Sequence, residues 1–157
     1  MAAERGHKVT LFDAGSEIGG QFNVAKLIPG KEEFYETLRY FRVMLDKHQV
    51  DVRLNTRVSA DDLKAGGFDE VILATGVKPR TPEIEGIDHP KVIGYLDALL
   101  ERKPVGQKVA VIGAGGIGFD VSEFIVHKGT SAALDTDHFM REWGVDLSVE
   151  HRGGIQG

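Results

Sequence analysis

A β-rich apolar run that leads directly into a spaced glycine motif is the feature that most limits how this chain can fold. Lys108–Ile112 predicts a buried strand, and Gly113-x-Gly115-x-x-Gly118 follows it at the start of a helical stretch. In this context Gly113 permits a tight turn, Gly115 lets the backbone approach a pyrophosphate, and Gly118 allows close packing of helix on strand. The motif therefore predicts a dinucleotide-binding unit, and the alternative is a glycine-rich turn without a ligand.

The residue that would distinguish NAD from NADP is not recognisable. Asp135 and Asp137 follow the glycine motif at about the distance expected for a ribose-binding acid. The surrounding stretch, residues 131–138, does not have the pattern of a strand. We interpret both aspartates as solvated loop residues, so the choice of cofactor stays open on pattern alone.

The beginning of the chain predicts a second α/β unit. Residues 1–6 are typical of the last turn of a helix that ends on Gly6, and Lys8–Asp13 is typical of a buried parallel strand. A helix followed by a strand is the second half of a β–α–β unit, so we expect the first strand and its glycine loop to precede Met1. The alternative is a protein that begins with a short helix. Asp13 ends the strand, where an acid can bond a ribose hydroxyl or simply mark the strand end.

The middle of the chain alternates helical and strand patterns. We predict a helix over Glu32–Gln49 whose apolar stripe, which includes Leu38 and Phe41, packs into the core, because these residues recur at helical spacing. The further predictions are strand Val50–Leu54, a short helix opened by a capping box at Ser59–Asp62, buried strand Asp69–Gly76, helix Leu96–Arg102, and no strand beyond about Lys128.

Composition excludes several classes of function. The chain has no cysteine, so it forms no disulfide and supplies no thiolate to zinc or to an iron–sulfur cluster. Its net charge of −5 gives no basic footprint for nucleic acid. Because no apolar run approaches the ~18 residues of a membrane span, we expect a cytoplasmic protein. The six histidines show no metal-ligand spacing, and no catalytic residue is recognised.

A series of motifs between residue 6 and about residue 120 carries a family resemblance. The motifs are Gly6–Ala14, Ser16–Phe22, Pro29–Tyr40, Ala74–Gly76 with Pro79–Arg80, Gly86–Pro90, Tyr95–Asp97 and Lys108–Asp120, with Glu142–Gly144 beyond them. Together they closely resemble the FAD/NADPH region of bacterial 2,4-dienoyl-CoA reductases. That group of old-yellow-enzyme-related flavoenzymes includes trimethylamine dehydrogenase.

The resemblance implies a fold and a place in a larger enzyme. The fold is α/β, with an incomplete Rossmann-like FAD domain over residues 1–103 and the start of a second Rossmann-like NAD(P) domain over residues 104–157. The parent enzyme would carry FMN and the unsaturated acyl-CoA substrate of β-oxidation in an N-terminal barrel. Electrons would pass from NADPH through FAD and an iron–sulfur cluster to FMN. The FMN site, cluster cysteines and catalytic acid would lie outside this chain.

The resemblance also assigns cofactor contacts residue by residue. It implies that Asp13 bonds the adenosine ribose of FAD, Gly20 and Gln21 face the flavin nucleotide, Val58 contacts adenine through its backbone, Ala74 and Gly76 line the FAD pyrophosphate, and Gly113, Gly115 and Gly118 form the NADPH phosphate loop.

Three alternatives stay open. The first is a related amine dehydrogenase, which would differ chiefly in its barrel. The second is another flavin reductase of the thioredoxin-reductase or glutamate-synthase type, although the lack of a Cys-x-x-Cys pair argues against the former. The third is a nucleotide-binding fragment without activity of its own.

We predict that this chain by itself has no reductase activity and does not retain FAD. The phosphate loop that would neutralise the FAD pyrophosphate is expected upstream of Met1, and Asp13 and Gln21 cannot replace that anion site. The purified chain should be colourless after incubation with excess FAD and desalting, as measured by flavin absorbance and fluorescence. A yellow protein with stoichiometric FAD would contradict this prediction.

Overall fold

The computed structural model describes residues 1–155 as a mixed α/β chain. The strands and helices, in chain order, are β1 (Thr10–Phe12), α1 (Phe22–Ala25), α2 (Glu33–Lys47), β2 (Asp51–Arg53), α3 (Ala60–Ala65), α4 (Tyr95–Leu99), α5 (Gly116–Val126) and α6 (Thr136–Glu142), with short 3₁₀ turns at Ala3–Arg5 and Ala132–Leu134. No helix in this described range is long and apolar enough to cross a membrane.

The first compact unit contains Met1–Asn23 and Tyr35–His89. Its β1 and β2 pair in parallel, with Leu11 opposite Val52. Parallel neighbours need a crossover connection, and helix α2 lies in that connection. A parallel pair joined through a helix is the α/β arrangement that the sequence predicts.

Helix α2 buries less of its apolar stripe than its spacing predicts. Leu38 is buried at 3% exposure, whereas Phe41 is 50% exposed and meets the ring of Tyr40 edge-on. The periodicity therefore identified the helix and its inward centre correctly, but the prediction that Phe41 belongs to the core is wrong in this structure.

The predicted capping box at the start of α3 is confirmed. The Asp62 backbone N–H donates to Ser59 Oγ over 3.2 Å, and the Ser59 backbone N–H donates to Asp62 Oδ2 over 2.8 Å. The Ser59 N–H, together with the Ser59 hydroxyl 2.7 Å from Asp62 Oδ2, holds the pKa of the Asp62 carboxyl below its usual value. Helix α3 begins where it does because both orphan N–H groups have partners.

The second compact unit contains Val24–Phe34 and the residues from Pro90 onward. Its buried centre joins Ile28 to Leu99 of α4 and Val121 of α5. Partly buried side chains surround this centre: Val24, Leu27, Tyr95, Phe124 and Ile125. Short helices such as α4 have marginal stability alone, so this shared apolar contact holds them in place. The predicted domain division at residues 103 and 104 stays a prediction.

Two predicted strands do not form in the described structure. Asp69–Gly76 and Lys108–Ile112 have no strand pairing, and within them Ile72 is 86% and Ile112 is 73% exposed. A strand exists only when a neighbour accepts and donates its backbone hydrogen bonds, and no segment of residues 1–155 pairs with either run. The apolar pattern gives each run a strand preference without supplying its partner.

The segment beyond Lys128 is more ordered than its sequence suggests. Asp135, predicted to be a solvated loop residue, accepts a hydrogen bond from the His138 backbone N–H at 2.9 Å and caps helix α6. Both aspartates are exposed as predicted, but Asp137 lies in the first turn of that helix, so the loop interpretation is wrong for Asp137. As predicted, the described part contains no extended strand here, only an isolated bridge between Val145 and Ile155.

Leu99→Ala should lower the free energy of unfolding by about 3 kcal/mol, because it leaves a cavity in the centre of the second unit. Leu100 is the matched control, since it is 51% exposed beside the 2% exposed Leu99. Leu100→Ala should change the free energy by less than about 0.5 kcal/mol. Urea unfolding followed by circular dichroism measures both values, and equal losses would contradict this description of the core.

Candidate nucleotide-binding site

Helix α5 begins with unsatisfied backbone donors. Gly115 is its N-cap residue and makes no side-chain capping bond, while the Gly115 carbonyl accepts the Phe119 N–H over 3.2 Å. Within the described residues, the N–H groups of residues 116–118 donate to no protein acceptor. The positive end of an 11-residue helix is therefore open to an anion.

The three glycines of the predicted phosphate loop differ in their surroundings. Gly113 has φ +117°, a conformation that favours glycine, and a Cβ on Gly118 would overlap the Gly113 carbonyl oxygen. A Cβ on Gly115 would meet nothing within 4 Å. Gly118 thus permits close packing against the loop itself, with Val111 the next neighbour. Gly115 leaves open space beside the helix start, which is where a phosphate needs access.

Asp13, predicted to contact the FAD ribose, is hydrogen-bonded at the ends of β1 and β2 to the segment that leads to Val58, the predicted adenine contact. The Asp13 N–H donates to the Arg53 carbonyl at 3.0 Å, and the Thr56 N–H donates to the Asp13 carbonyl at 2.9 Å. The Asp13 carboxylate accepts the Gly15 N–H at 2.7 Å through Oδ1. Half-buried Val58 lies two residues beyond Thr56. This is the carboxyl end of the parallel pair, where open α/β sheets bind ligands.

Gln21 reaches the segment that contains the other predicted FAD contacts. Its Nε2 donates to the Val77 carbonyl over 3.4 Å. Gly20 and Gly76 have φ +49° and +71°, and a Cβ on either would meet nothing within 4 Å. Ala74 is exposed. The loop at Gln21 and the segment at Val77 thus meet through this hydrogen bond, although residues 74–76 do not end a strand.

The structure therefore forms three local groups from the predicted residues. Asp13 is hydrogen-bonded to Thr56, two residues before Val58; Gln21 is hydrogen-bonded to Val77, beside Gly76; and Gly113–Gly118 lies in the second compact unit. The Gly113–Gly118 loop has two features that a pyrophosphate requires: a helix start with unpaired N–H groups, and open space beside Gly115. The FAD roles of these residues stay predictions, and the segment predicted to line the FAD pyrophosphate, residues 74–76, lacks a strand to fix it.

A groove of about 520 Å³ lies near the first group but does not include the predicted site residues. Leu45 of α2 and Val52 of β2 contribute apolar wall, and the ion pair between Arg42 and Glu17, 2.7 Å from Nη2 to Oε2, lies at this groove. Its lining is a packing boundary between helix and sheet with one charged pair, and it offers no convergent set of nucleotide ligands.

Sequence reasoning missed a buried carboxylate, Asp146. Its oxygens accept the N–H groups of Ser148 (2.9 Å), Glu150 (2.9 Å) and His151 (2.7 Å), the Ser148 hydroxyl (2.5 Å) and a contact from His151 Nδ1 (2.7 Å). The Ser148 hydroxyl and the His151 N–H hold the pKa of Asp146 far below its usual value. Since its partners all lie within five residues, Asp146 orders its own loop.

A second missed contact joins Lys31 to Asp120 of α5. Lys31 Nζ lies 2.7 Å from Asp120 Oδ1 and 2.6 Å from Oδ2. The two residues are 89 positions apart, so neither helical nor strand spacing relates them. Each residue lies in a motif that carries the family resemblance, Pro29–Tyr40 for Lys31 and Lys108–Asp120 for Asp120. Neither motif indicates that the two residues form a pair.

Comparison with known proteins identifies the family. The pyridine nucleotide-disulphide oxidoreductase family matches residues 1–150, and the chain belongs to that family. This membership makes the chain an FAD- and NAD(P)-binding region of a flavoprotein oxidoreductase, which confirms the expectation at that level.

Individual relatives are several times longer than this chain. Cinnamate reductase of Clostridium sporogenes is 37% identical over 134 residues, covering 85% of this chain and 20% of that protein. N,N-dimethylglycine/sarcosine dehydrogenase of Chromohalobacter salexigens is 30% identical over 145 residues, covering 87% and 21%. A structure of 2-naphthoyl-CoA reductase with 2-naphthoyl-CoA matches with a TM-score of 0.73 and 37% identity, covering 79% and 19%. The chain thus spans about a fifth of these proteins.

Gly115→Val should raise the Kd for NADPH at least about tenfold, because the side chain would fill the open approach to the helix start. Thermal stability should change little, since the φ of −87° suits any residue and nothing crowds the Cβ. Fluorescence titration measures binding, and circular dichroism measures melting. Gly106→Val is the control, since its Cβ also meets nothing. Unchanged NADPH binding in folded Gly115→Val would mean that the loop is only a turn.

Proposed function

We propose that this chain is the FAD- and NADPH-binding part of a 2,4-dienoyl-CoA reductase, a flavoenzyme that reduces unsaturated fatty acyl-CoA in β-oxidation. The observation that carries the proposal is the uncapped N-terminus of α5, with open space beside Gly115. It is an anion site at the position of a dinucleotide motif. When bound, NADPH supplies a hydride and FAD accepts it.

The role of the second unit is to hold the NADPH pyrophosphate. The N–H groups of residues 116–118 form the start of α5 and have no protein acceptor in the described chain, so they are available to phosphate oxygens. Gly113 turns the chain and Gly118 lets the helix begin against that turn. Preference for NADPH over NADH is part of the proposal and is carried by the resemblance.

The role of the first unit is to hold FAD. Asp13 at the end of β1 would orient the adenosine ribose, and Val58, two residues beyond its hydrogen-bond partner Thr56, would contact adenine. Gly20 and Gln21 would approach the flavin nucleotide, while Ala74 and Gly76 would line the pyrophosphate. The hydrogen bond from Gln21 to Val77 supports the last two pairs, because it brings both segments together.

An acyl-CoA substrate is supported by the kind of relatives found. Two of them are named as reductases, and the 2-naphthoyl-CoA reductase structure contains a CoA thioester. We propose that FMN, the iron–sulfur cluster and the acyl-CoA bind to parts of a longer cytoplasmic protein outside this chain.

A related amine dehydrogenase is the second candidate. The similarity to N,N-dimethylglycine/sarcosine dehydrogenase favours it, since an FAD/NAD(P) region of this family also accompanies amine oxidation there. The two candidates share the cofactor residues named above. They differ in the substrate, which this chain does not contact under either proposal.

The full-length protein should oxidise NADPH in the presence of a 2,4-dienoyl-CoA and should not turn over trimethylamine. Steady-state assays with each substrate, following NADPH absorbance for the first and an electron acceptor dye for the second, distinguish the candidates. Turnover of the amine alone would contradict the reductase proposal and support the dehydrogenase.

A further inference from the structure

Lys31 and Asp120 form a close, partly buried salt bridge. Lys31 Nζ lies within 2.7 Å of both Asp120 carboxylate oxygens, and the two side chains are 39% and 29% exposed. Immediately before Lys31, Ile28 is buried against the core, and the Gly30 N–H donates to the Oγ of buried Ser131 at 3.1 Å. Lys31 is therefore held in position by its neighbours and is unlike a freely mobile surface lysine.

Asp120 lies close to the proposed phosphate site. It is the fifth residue of α5, about 6 Å along the axis from the first, at a rise of about 1.5 Å per residue. Side chains on a helix tilt towards its N-terminus, so the carboxylate leans towards the end at which phosphates would bind. An unpaired carboxylate there would repel a pyrophosphate across that short distance.

Lys31 removes that repulsion. In residues 1–155, Asp120 makes one salt bridge, and Lys31 is its partner. With the ammonium in contact with both oxygens, the pair presents little net charge to the helix start. The open N–H groups of residues 116–118 then act on the phosphates without opposition from the next turn.

We propose that Lys31 is a positioning residue for the NADPH pyrophosphate, which acts by neutralising Asp120 rather than by touching the ligand. This inference rests on the proposed function of the Gly113–Gly118 loop. It differs from a purely structural role, because a structural tie would be lost equally when either partner is removed. A charge-neutralising role predicts opposite consequences for the two partners.

The test is a double-mutant cycle on NADPH affinity. Lys31→Met should raise the Kd for NADPH about tenfold in low salt, because it leaves Asp120 unpaired near the phosphates. Asp120→Asn should bind NADPH at least as tightly as the unsubstituted chain. The double variant should return to within about twofold of Asp120→Asn. The Lys31→Met effect should shrink as salt approaches 1 M, where the Debye length falls to about 3 Å.

Lys128→Met is the matched control, since it removes an exposed positive charge just beyond the opposite end of α5. It should leave the Kd within about twofold in low salt. Circular dichroism checks that each variant is folded. Lys31→Gln replaces Lys31→Met if the apolar variant fails to fold.

The outcomes separate this inference from the proposed function. If the unsubstituted chain shows no saturable binding of NADPH by fluorescence, the phosphate-loop assignment is wrong and the role of Lys31 is wrong with it. If that chain binds NADPH but Asp120→Asn weakens binding as much as Lys31→Met, the pair is only a structural tie. An unchanged Kd in folded Lys31→Met, or no recovery in the double variant, would also overturn the inference.

Discussion

Helix α5 begins without a capping side chain, and the proposed nucleotide site depends on the unpaired N–H groups of its first turn. In water such donors are solvated, but beside a glycine loop they form a site for negative charge. Gly118 brings the helix start against the Gly113 carbonyl, and Gly115 keeps its approach clear. Lys31 and Asp120 lie one turn further along, so the electrostatics of the helix start depend on a contact made by a distant segment.

The sequence predicted the features whose causes are local. Leu38 was identified as inward-facing because it recurs with its neighbours at helical spacing, and Ser59 was identified as a cap because its partner is three residues away. The strand predicted around Ile72 failed for the opposite reason. Its apolar residues indicate a strand, but strand formation depends on hydrogen bonds from another segment. A single run of sequence does not contain that information.

The same distinction applies to the candidate site. The spacing of Gly113, Gly115 and Gly118 is recognisable by itself, because a phosphate loop needs three things within six residues. These are a tight turn, close approach of the backbone to a phosphate, and close packing of the helix start. Lys31 and Asp146 could not be singled out in this way. The partner of Lys31 is far along the chain, and Asp146 acts through five nearby donors that have no defining pattern. The substrate is not readable here, because every role proposed for the residues of this chain is toward a cofactor.

The central claim is that the dinucleotide phosphates bind at the start of α5. A ¹H–¹⁵N NMR titration of the chain with NADP⁺ measures this directly, since amides that donate a new hydrogen bond to a phosphate oxygen shift strongly. We expect the largest, saturable shifts on the amides of residues 113–118. Shifts concentrated elsewhere, or none at millimolar NADP⁺, would contradict it.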